Sequence, residues 1–379
     1  MIADEKSVIR KIKKDKDVNG IAMVVSSWHY LNALATMEFL LQSGRIKKGI
    51  ILARSHQQAG FIVDEKLWNA DIDDRIERAV FHYRFLPGWK EVKGYLNERI
   101  ANEKDFYILQ PVEPRVSFAA ELWRSGLKRN YVHIVIDEGL GGYLRTAKGW
   151  MNERKVIDPL ASVSRKDIFR KWQHQCYINV MLKKRGQLLY NTFFMKKGKY
   201  LSVNLSCKKY LSNIFENASS LYDYADYCKY ENKLVICTQP FHDLGQVDNN
   251  ADIEIIEQIC KEAKRANIGV IIKPHPRETD MEKYSIIAGA EVDANNLIPL
   301  EIIVAGLKRK PKAIIGITTT TLVTAGILWG INTISIVDII KKENFHDEVM
   351  EDIDNFPRLF SQYVKVPKKM DDLIKLLIM

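Results

Sequence analysis

The feature that most constrains the fold is an alternation of short apolar runs with helix-periodic stretches along most of the 379 residues. Short apolar runs predict buried strands, and the segments between them repeat apolar residues at helical spacing. Buried strands separated by helices favour parallel sheets that are covered on both faces. A chain of this length is also long enough for two domains.

The predicted elements fall into two α/β halves. Strands are predicted at 20–26, 49–53, 105–109, 131–136, 233–237, 269–272, 313–317 and 333–337. Helices are predicted at 30–41, 252–266 and 300–307, and from Thr321 onward. We therefore expect a first domain over 1–205, a second domain over 206–355 and a helical tail over 356–379.

Charge and composition narrow the class of protein. The chain carries 57 Lys and Arg against 47 Asp and Glu, a net charge of +10 that favours a polyanionic partner. Neither a membrane-length apolar run nor a secretory signal occurs, which predicts a cytoplasmic location. The five cysteines are an odd number without a C-x-x-C pair, which indicates reduced thiols.

Ligands of open α/β sheets bind beyond the carboxyl ends of the strands, so the residues after each predicted strand are the candidates for a site. The first such place holds Asp137, Glu138 and Gly139. A carboxylate at a strand end is suited to act as a general base toward a hydroxyl group. The alternative is that one carboxylate caps the following helix.

The second place contains Lys273, His275, Pro276 and Arg277. Prolines on both sides favour an extended backbone at the histidine, and the flanking cations suit an anion. The imidazole is suited to donate a proton or a hydrogen bond to a departing phosphate oxygen. A surface turn with an incidental histidine is the alternative.

The third place is a run of hydroxyl side chains, Thr318, Thr319, Thr320 and Thr321, which follows a predicted strand and opens a helix. A helix N-terminus presents free N–H groups, and hydroxyl groups add donors, so a phosphate can be held there without a metal. An ordinary threonine N-cap is the alternative.

The fourth place is the segment with Gln239, Pro240 and Asp243. It is suited to frame a nucleotide base, and Asp243 is a second candidate acid–base group. A proline turn explains the segment equally well.

Other chemistries lack their motifs. The sequence holds no P-loop, no G-x-G-x-x-G, no G-x-S-x-G and no H-E-x-x-H. The acidic pairs Asp71/Asp73 and Asp352/Asp354 have the D-x-D form that binds a metal ion in many glycosyltransferases, but neither follows a predicted strand. We therefore predict no metal site and no cofactor.

The acidic, His-Pro and threonine-rich motifs together resemble bacterial sialyltransferases of the GT-B type. Their order is most similar to glycosyltransferase family 52, the lipooligosaccharide and capsule sialyltransferases, with the polysialyltransferases as close relatives. The resemblance runs from Ser26 and Ser27, after the first strand, to the threonine cluster. It implies a GT-B fold of two Rossmann-like domains with a cleft between them, the first on the acceptor side and the second binding the nucleotide sugar.

The resemblance also implies the reaction and the roles. CMP-sialic acid is the expected donor, and a terminal galactoside or sialoside of a bacterial capsule or lipooligosaccharide is the expected acceptor. Asp137 is the implied base and His275 the implied acid, with Glu138 and Asp243 as rival acid–base groups. The implied substrate-binding residues are Ser26, Ser27, Gly139, Gln239, Pro240, Lys273, Pro276, Arg277, Thr318, Thr319 and Thr320.

Several alternatives stay open on the sequence. The basic segment 162–199 and the tail 367–379 suit an anionic membrane at its inner face, although the tail also suits a helix packed on the core. A homodimer is open, and no nucleic-acid partner is expected because the familiar binding motifs do not occur. The rival functions are another metal-independent GT-B enzyme (a polysialyltransferase, or a Kdo or glycerol-phosphate transferase) and a non-enzymatic polyanion-binding protein.

Overall fold

The computed structural model describes residues 18–55, 63–82, 94, 96, 99, 106–111, 131–137, 139–144, 188–191, 199–200 and 207–378. These residues form two compact units. The first unit contains the described residues up to 137 and those over 188–211, and the second contains 139–144 and the residues from 212 onward. The predicted domain division lay at 205/206 and left 139–144 in the first domain.

A seven-stranded sheet forms the first unit, with the order β3-β2-β1-β4-β5-β6-β7 and parallel pairing throughout. Its strands are β1 (Val18–Val24), β2 (Lys48–Ser55), β3 (Ile76–His82), β4 (Phe106–Gln110), β5 (Tyr131–Ile136), β6 (Leu188–Asn191) and β7 (Lys199–Tyr200). Ile21 and Ala22 of the inner strand β1 are fully buried, as the apolar run predicts for a strand covered on both faces.

Two helices of the first unit are described, α1 (Ser27–Gln42) and α2 (Glu65–Asn69). Helix α1 begins where the side chain of Ser26 accepts a hydrogen bond from the N–H of His29, at 3.2 Å. This N-cap directly follows β1, so the chain turns from strand to helix at the carboxyl edge of the sheet.

A five-stranded parallel sheet forms the second unit, in the order β10-β9-β8-β11-β12. Its strands are β8 (Leu234–Cys237), β9 (Val270–Lys273), β10 (Ala290–Val292), β11 (Ala313–Gly316) and β12 (Thr333–Ser335). Every residue of β8, β9, β11 and β12 is buried, whereas the edge strand β10 is partly exposed. The core of this unit therefore lies on both faces of its inner strands.

The remaining helices belong to the second unit, except that α4 spans the division between the units. They are α3 (Gly141–Leu144), α4 (Cys207–Ser219), α5 (Tyr224–Tyr227), α6 (Ala251–Arg265), α7 (Glu282–Ser285), α8 (Leu300–Gly306), α9 (Thr320–Trp329), α10 (Asp347–Phe360) and α11 (Met370–Ile378). Helix α6 buries Ile255, Ile259 and Ala263 on one face, which confirms the predicted apolar stripe.

The predicted strands and helices are confirmed within about three residues at their ends. Strands β3, β6, β7 and β10 were not predicted. The tail folds as α11, which contacts α6 and buries Leu373 and Leu377, so it is a helix packed on the core of the second unit. None of the helices in the described part of the chain has the length and apolar character to cross a membrane.

Candidate active site

The strand order of the second sheet reverses between β8 and β11. The chain runs from β8 to β9 and β10 on one side and then to β11 and β12 on the other. Loops beyond the carboxyl ends of strands diverge at such a switch point and leave a crevice where open α/β sheets bind ligands. The loops after β8, β9 and β11 carry the Gln239, His275 and threonine motifs, so three of the predicted motifs lie at one edge of one sheet.

Gln239 and Thr318 join the two loops at the switch point. The side-chain amide of Gln239 donates to Oγ1 of Thr318 at 2.9 Å, and the N–H of Thr318 donates to Oε1 of Gln239 at 2.9 Å. Thr318 and Pro240 are buried, and Gln239 is half-buried. Because Gln239 and Thr318 bind each other, these two side chains fix the spacing between the loop after β8 and the loop after β11.

The four threonines have different environments. Thr321 is buried, and its Oγ1 donates to Glu301 at 2.9 Å, as does that of Thr324 at 2.8 Å. Burial raises the pKa of Glu301, although these two hydroxyl donors act in the opposite direction. Thr319 is the half-buried N-cap of α9, whose first N–H groups have no acceptor within the helix. Of the four threonines, Thr318 and Thr321 are therefore interior residues, whereas Thr319 and Thr320 are half-buried at the edge of the sheet.

Thr320 binds the glycine turn of the acidic motif. Its Oγ1 accepts a hydrogen bond from the N–H of Leu140 at 3.1 Å. Gly139 has φ of 100°, and a Cβ at this position would lie 2.8 Å from Oγ1 of Thr320. Both facts require glycine, since an L side chain is strained at this φ and would meet the hydroxyl. The segment after Asp137 and Glu138 is thus fixed on the first turn of α9.

A tight turn after β9 orients His275. The N–H of Glu278 donates to the carbonyl of His275 at 2.9 Å, which closes a β-turn with Pro276 at its second position, where proline is favoured. Within the turn, the N–H of Arg277 donates to Nδ1 of His275 at 3.1 Å. Since Nδ1 accepts, the proton of a neutral imidazole is on Nε2.

The protonation state of His275 follows from its surroundings. Burial, and to a smaller extent the guanidinium of Arg277, lower the pKa of His275 to about 3. The ring is therefore neutral near pH 7 and carries a single N–H donor at Nε2. Such a group is better suited to donate a hydrogen bond to a phosphate oxygen than to transfer a proton.

Lys273 points into the interior. Its ammonium group forms an ion pair with Asp293 at 3.0 Å, and both side chains are less than a tenth exposed. Burial lowers the pKa of Lys273, and the carboxylate of Asp293 opposes this shift. Of the two cations predicted to flank His275, this one is used to stabilise the core, while Arg277 is half-buried and Pro276 is exposed.

Asp243 ties the loop after β8 to α7. Its carboxylate accepts from Lys283, from the N–H of Thr279 at 2.7 Å and from the N–H of Asp280 at 3.3 Å. Burial would raise the pKa of Asp243, but these hydrogen bonds outweigh burial and lower it. A carboxylate with so many donors is a weak base, so the geometry gives Asp243 a structural role.

In the first unit, the predicted residues lie at the carboxyl ends of β1 and β5. Ser26 caps α1, and the buried Ser27 accepts a hydrogen bond from the N–H of Asp64 at 2.9 Å, so both side chains stabilise the loop after β1. Asp137 directly follows β5 and is 1% exposed. Glu138 lies outside the described residues.

The acidic pairs of D-x-D form are not strand-end sites. Asp73 precedes β3 and binds Arg75, whose hydrogen bonds lower the pKa of Asp73 to about 2. Asp352 and Asp354 lie within α10. Across the residues that the structure describes, no group of three or more His, Cys, Asp or Glu side chains is placed to bind a metal ion.

Sequence reasoning missed the role of Glu278. Its buried carboxylate accepts hydrogen bonds from the N–H of His275 at 2.6 Å and from the hydroxyl of Thr238. The signal was present in the sequence, because an acid three residues after the start of a turn is placed to bind the first N–H of that turn.

A comparison with known protein families matches the part of the chain that carries these loops. The family model of the α-2,8-polysialyltransferases matches residues 126–338, more than half of the chain. The chain belongs to this family. It is a glycosyltransferase of the sialyltransferase type, which confirms the resemblance to bacterial GT-B sialyltransferases. The matching family is that of the polysialyltransferases, which the sequence motifs indicate as close relatives beside family 52. Comparison with curated protein sequences gives no match.

Two solved structures show the same architecture at low sequence identity. One is an α/β-galactoside α-2,3-sialyltransferase from the luminous marine bacterium Photobacterium phosphoreum, with 13% identity and a TM-score of 0.51 over 92% of this chain and 98% of that one. The other is the UDP-GlcNAc 2-epimerase of Methanocaldococcus jannaschii, with 12% identity and a TM-score of 0.51 over 95% and 91%. These likenesses concern the fold alone and confirm an α/β GT-B architecture of two Rossmann-like domains.

Proposed function

We propose that this member of the polysialyltransferase family moves sialic acid from CMP-sialic acid to a glycan hydroxyl, with inversion and without a divalent metal. The observation that carries the proposal is the shared sheet edge in the second unit. There the turn of His275 and the N-terminus of α9 follow strands β9 and β11, on either side of β8 and about 10 Å apart by strand spacing. All of these residues lie within the stretch matched by the family.

The donors at this edge suit a monophosphate leaving group. CMP departs as a phosphate dianion that gains one negative charge when the glycosidic bond breaks. In our proposal, Nε2–H of His275 and the first N–H groups of α9, with the hydroxyls of Thr319 and Thr320, stabilise that charge. Arg277 adds a positive charge beside the imidazole. Gln239 and Pro240 lie near the cytidine, and Gln239 fixes the spacing of the two loops through Thr318.

We assign the general base to Asp137. It directly follows β5 with a buried side chain, which holds the carboxylate in a fixed orientation, and the chain then continues into the glycine turn bound by Thr320. Glu138 is the neighbouring rival. Asp243 is the weaker candidate, because Lys283 and two backbone N–H groups occupy its carboxylate.

For the acceptor, we favour a sialoside over a terminal galactoside. The name of the matching family supports the sialoside, in which case the product is a 2,8-linked chain. The net charge of +10 also favours an anionic polymer as the bound glycan. We infer that the acceptor is part of a bacterial capsule or lipooligosaccharide and that the enzyme works in the cytoplasm at the inner face of the membrane.

The test is a transfer assay with CMP-sialic acid in EDTA, with sialosides and galactosides as acceptors and product analysis by mass spectrometry. We expect transfer in EDTA, and a fall in kcat of at least about 10²-fold in both Asp137→Ala and His275→Ala. CMP and CDP should raise the unfolding temperature, whereas UDP and GDP should not. Stabilisation by UDP alone, or full activity of His275→Ala, would refute the assignment.

A further inference from the structure

Glu278 holds a carboxylate in the interior of the second unit with four hydrogen-bond donors around it. Its side chain is fully buried. Oε1 accepts from the hydroxyl of Tyr284 at 2.5 Å and from Nζ of Lys283 at 3.1 Å. Oε2 accepts from the N–H of His275 at 2.6 Å and from the hydroxyl of Thr238. A buried carboxylate persists only when its oxygens are bound in this way, so each of the four contacts stabilises it.

These donors belong to three segments of the chain. Thr238 follows β8, His275 follows β9, and the remaining two donors are on α7. The carboxylate of Glu278 therefore joins the loop after β8 and the loop after β9 to helix α7. It also completes a reciprocal pair, because the N–H of Glu278 donates to the carbonyl of His275 at 2.9 Å while its side chain accepts from the N–H of the same residue.

The hydrogen bonds around His275 leave Nε2 as the ring nitrogen that can donate to a ligand. The carbonyl of His275 also accepts from Nδ2 of Asn296 at 3.2 Å, and Nδ1 accepts from the N–H of Arg277. The backbone and one ring nitrogen of His275 are thus fixed by protein groups. Nε2 is the remaining ring nitrogen, and the bond at Nδ1 assigns it the proton.

We propose that Glu278 is a positioning residue for sialyl transfer: by holding the backbone N–H of His275, it keeps the imidazole in the orientation in which Nδ1 accepts from the N–H of Arg277 and Nε2 carries the proton. This inference rests on the proposed function, because it takes His275 as the group that contacts the departing phosphate. Glu278 itself touches no substrate in this proposal. Its effect on the reaction passes through His275.

Glu278→Gln is the informative variant. An amide keeps the shape but offers one acceptor oxygen, so its NH₂ group must face either the pair on α7 or the pair formed by His275 and Thr238. We expect kcat to fall about 10²-fold, the loss that a misplaced reacting group causes. The KM for CMP-sialic acid should change much less, since the other donor contacts remain.

Two matched controls separate positioning from general stability. Glu301→Gln changes another buried carboxylate that is bound by hydroxyl groups, but Glu301 contacts α9 and not the turn of His275. Tyr284→Phe removes one donor from the oxygen of Glu278 that faces away from His275. Both variants should lower the unfolding temperature and keep kcat close to that of the wild type.

A double-mutant cycle with His275→Ala measures the coupling between the two residues in kcat, which a merely structural role of Glu278 would not produce. If Glu278 acts through His275, Glu278→Gln should add less than about twofold to the loss of kcat in the His275→Ala background. Its effect on the unfolding temperature should be the same in both backgrounds. Equal fractional losses of kcat in both backgrounds would overturn the proposal. If Glu278→Gln does not fold, Glu278→Asp takes its place, since it keeps the charge but withdraws it by one methylene.

Nitrogen NMR of histidine-labelled protein tests the tautomer without turnover. The wild-type signal of His275, assigned by its loss in His275→Ala, should show a protonated Nε2 and an accepting Nδ1. Glu278→Gln should show a mixture of tautomers, and an unchanged signal would overturn the inference. A wild type that transfers no sialic acid would overturn the proposed function and this role with it, whereas an active wild type with an unaffected Glu278→Gln would overturn this role alone.

Discussion

The strongest prediction concerns the charge of His275 when the pH is lowered. Burial and the nearby guanidinium of Arg277 lower its pKa to about 3. At pH 5, about 1% of the rings would then carry a second proton, against about 97% for a histidine with the ordinary pKa of about 6.5. The imidazole should therefore remain a neutral donor across the range in which the enzyme can be assayed.

This protonation state has a direct consequence for turnover. A catalytic acid that must be protonated in the free enzyme would make kcat/KM fall about tenfold per pH unit above its pKa. A neutral hydrogen-bond donor causes no such fall. We therefore expect no inflection of kcat/KM from His275 between pH 5 and pH 8.

The same shift makes the native state less stable in acid. Between about pH 6.5 and pH 3, the unfolded chain binds a proton at this residue that the folded chain does not bind. The free energy of unfolding should therefore fall as the pH falls through this window, with a slope that approaches about 1.4 kcal/mol per pH unit for one proton. Above pH 6.5 neither state is protonated, and the penalty disappears. The difference between the wild type and His275→Asn isolates this contribution from that of the carboxylates.

The assay is an NMR titration of histidine-labelled protein from pH 8 to pH 4.5, with the signal of His275 assigned by its loss in His275→Ala. The urea-unfolded chain serves as the reference and should titrate near pH 6.5. We expect the native signal of His275 to keep its position throughout. A midpoint above pH 5 would refute the reasoning, because it would mean that burial and Arg277 do not control the ring.

Two further predictions follow from the contacts of single residues. Gly139→Ala places a Cβ 2.8 Å from the hydroxyl of Thr320 at a residue with φ of 100°. Calorimetry should therefore show that the free energy of unfolding falls by about 1–3 kcal/mol. An unchanged unfolding temperature would contradict the close approach. Lys273→Met removes the buried cation beside Asp293 but leaves Lys229 at 3.0 Å from its carboxylate, so the free energy of unfolding in urea should fall by no more than about 3 kcal/mol, the lower end for a broken buried pair. The KM for the donor should hardly change in the folded fraction, and a large rise in KM would instead place Lys273 in the binding site.

The strands that the sequence predicts are those buried on both faces. The runs over 20–26 and 313–317 are almost entirely apolar because both faces of these strands are largely buried, and this signal is local. Strand β3 has two adjacent charged residues, Glu77 and Arg78, near its start, and β10 has only three residues at an edge. Such strands depend on pairing with a neighbour that is distant in sequence, so a single-sequence pattern does not separate them from loops.

The sequence predicted where the candidate loops lie, but not the direction of single side chains. Position after a strand is a local property, and the motifs of Gln239, His275 and the threonines follow β8, β9 and β11 as predicted. The direction of each side chain depends on tertiary partners. Lys273 lies beside His275 in sequence but points toward Asp293, and Thr321 points toward Glu301. Neither partner is marked by a spacing that sequence reasoning could use.

The ion pairs in the second unit support the proposal that this sheet edge binds a nucleoside monophosphate. Lys273 is neutralised by Asp293, and Lys283 is neutralised by Asp243 and Glu278, so neither ammonium group is available to a ligand. The remaining attraction for an anion comes from Arg277 and from oriented dipoles: the N-terminus of α9 and Nε2–H of His275. Such donors stabilise a charge best when it develops on a few oxygens at a fixed place. A departing monophosphate meets that condition, whereas a diphosphate spreads a larger charge over more oxygens and calls for further cations.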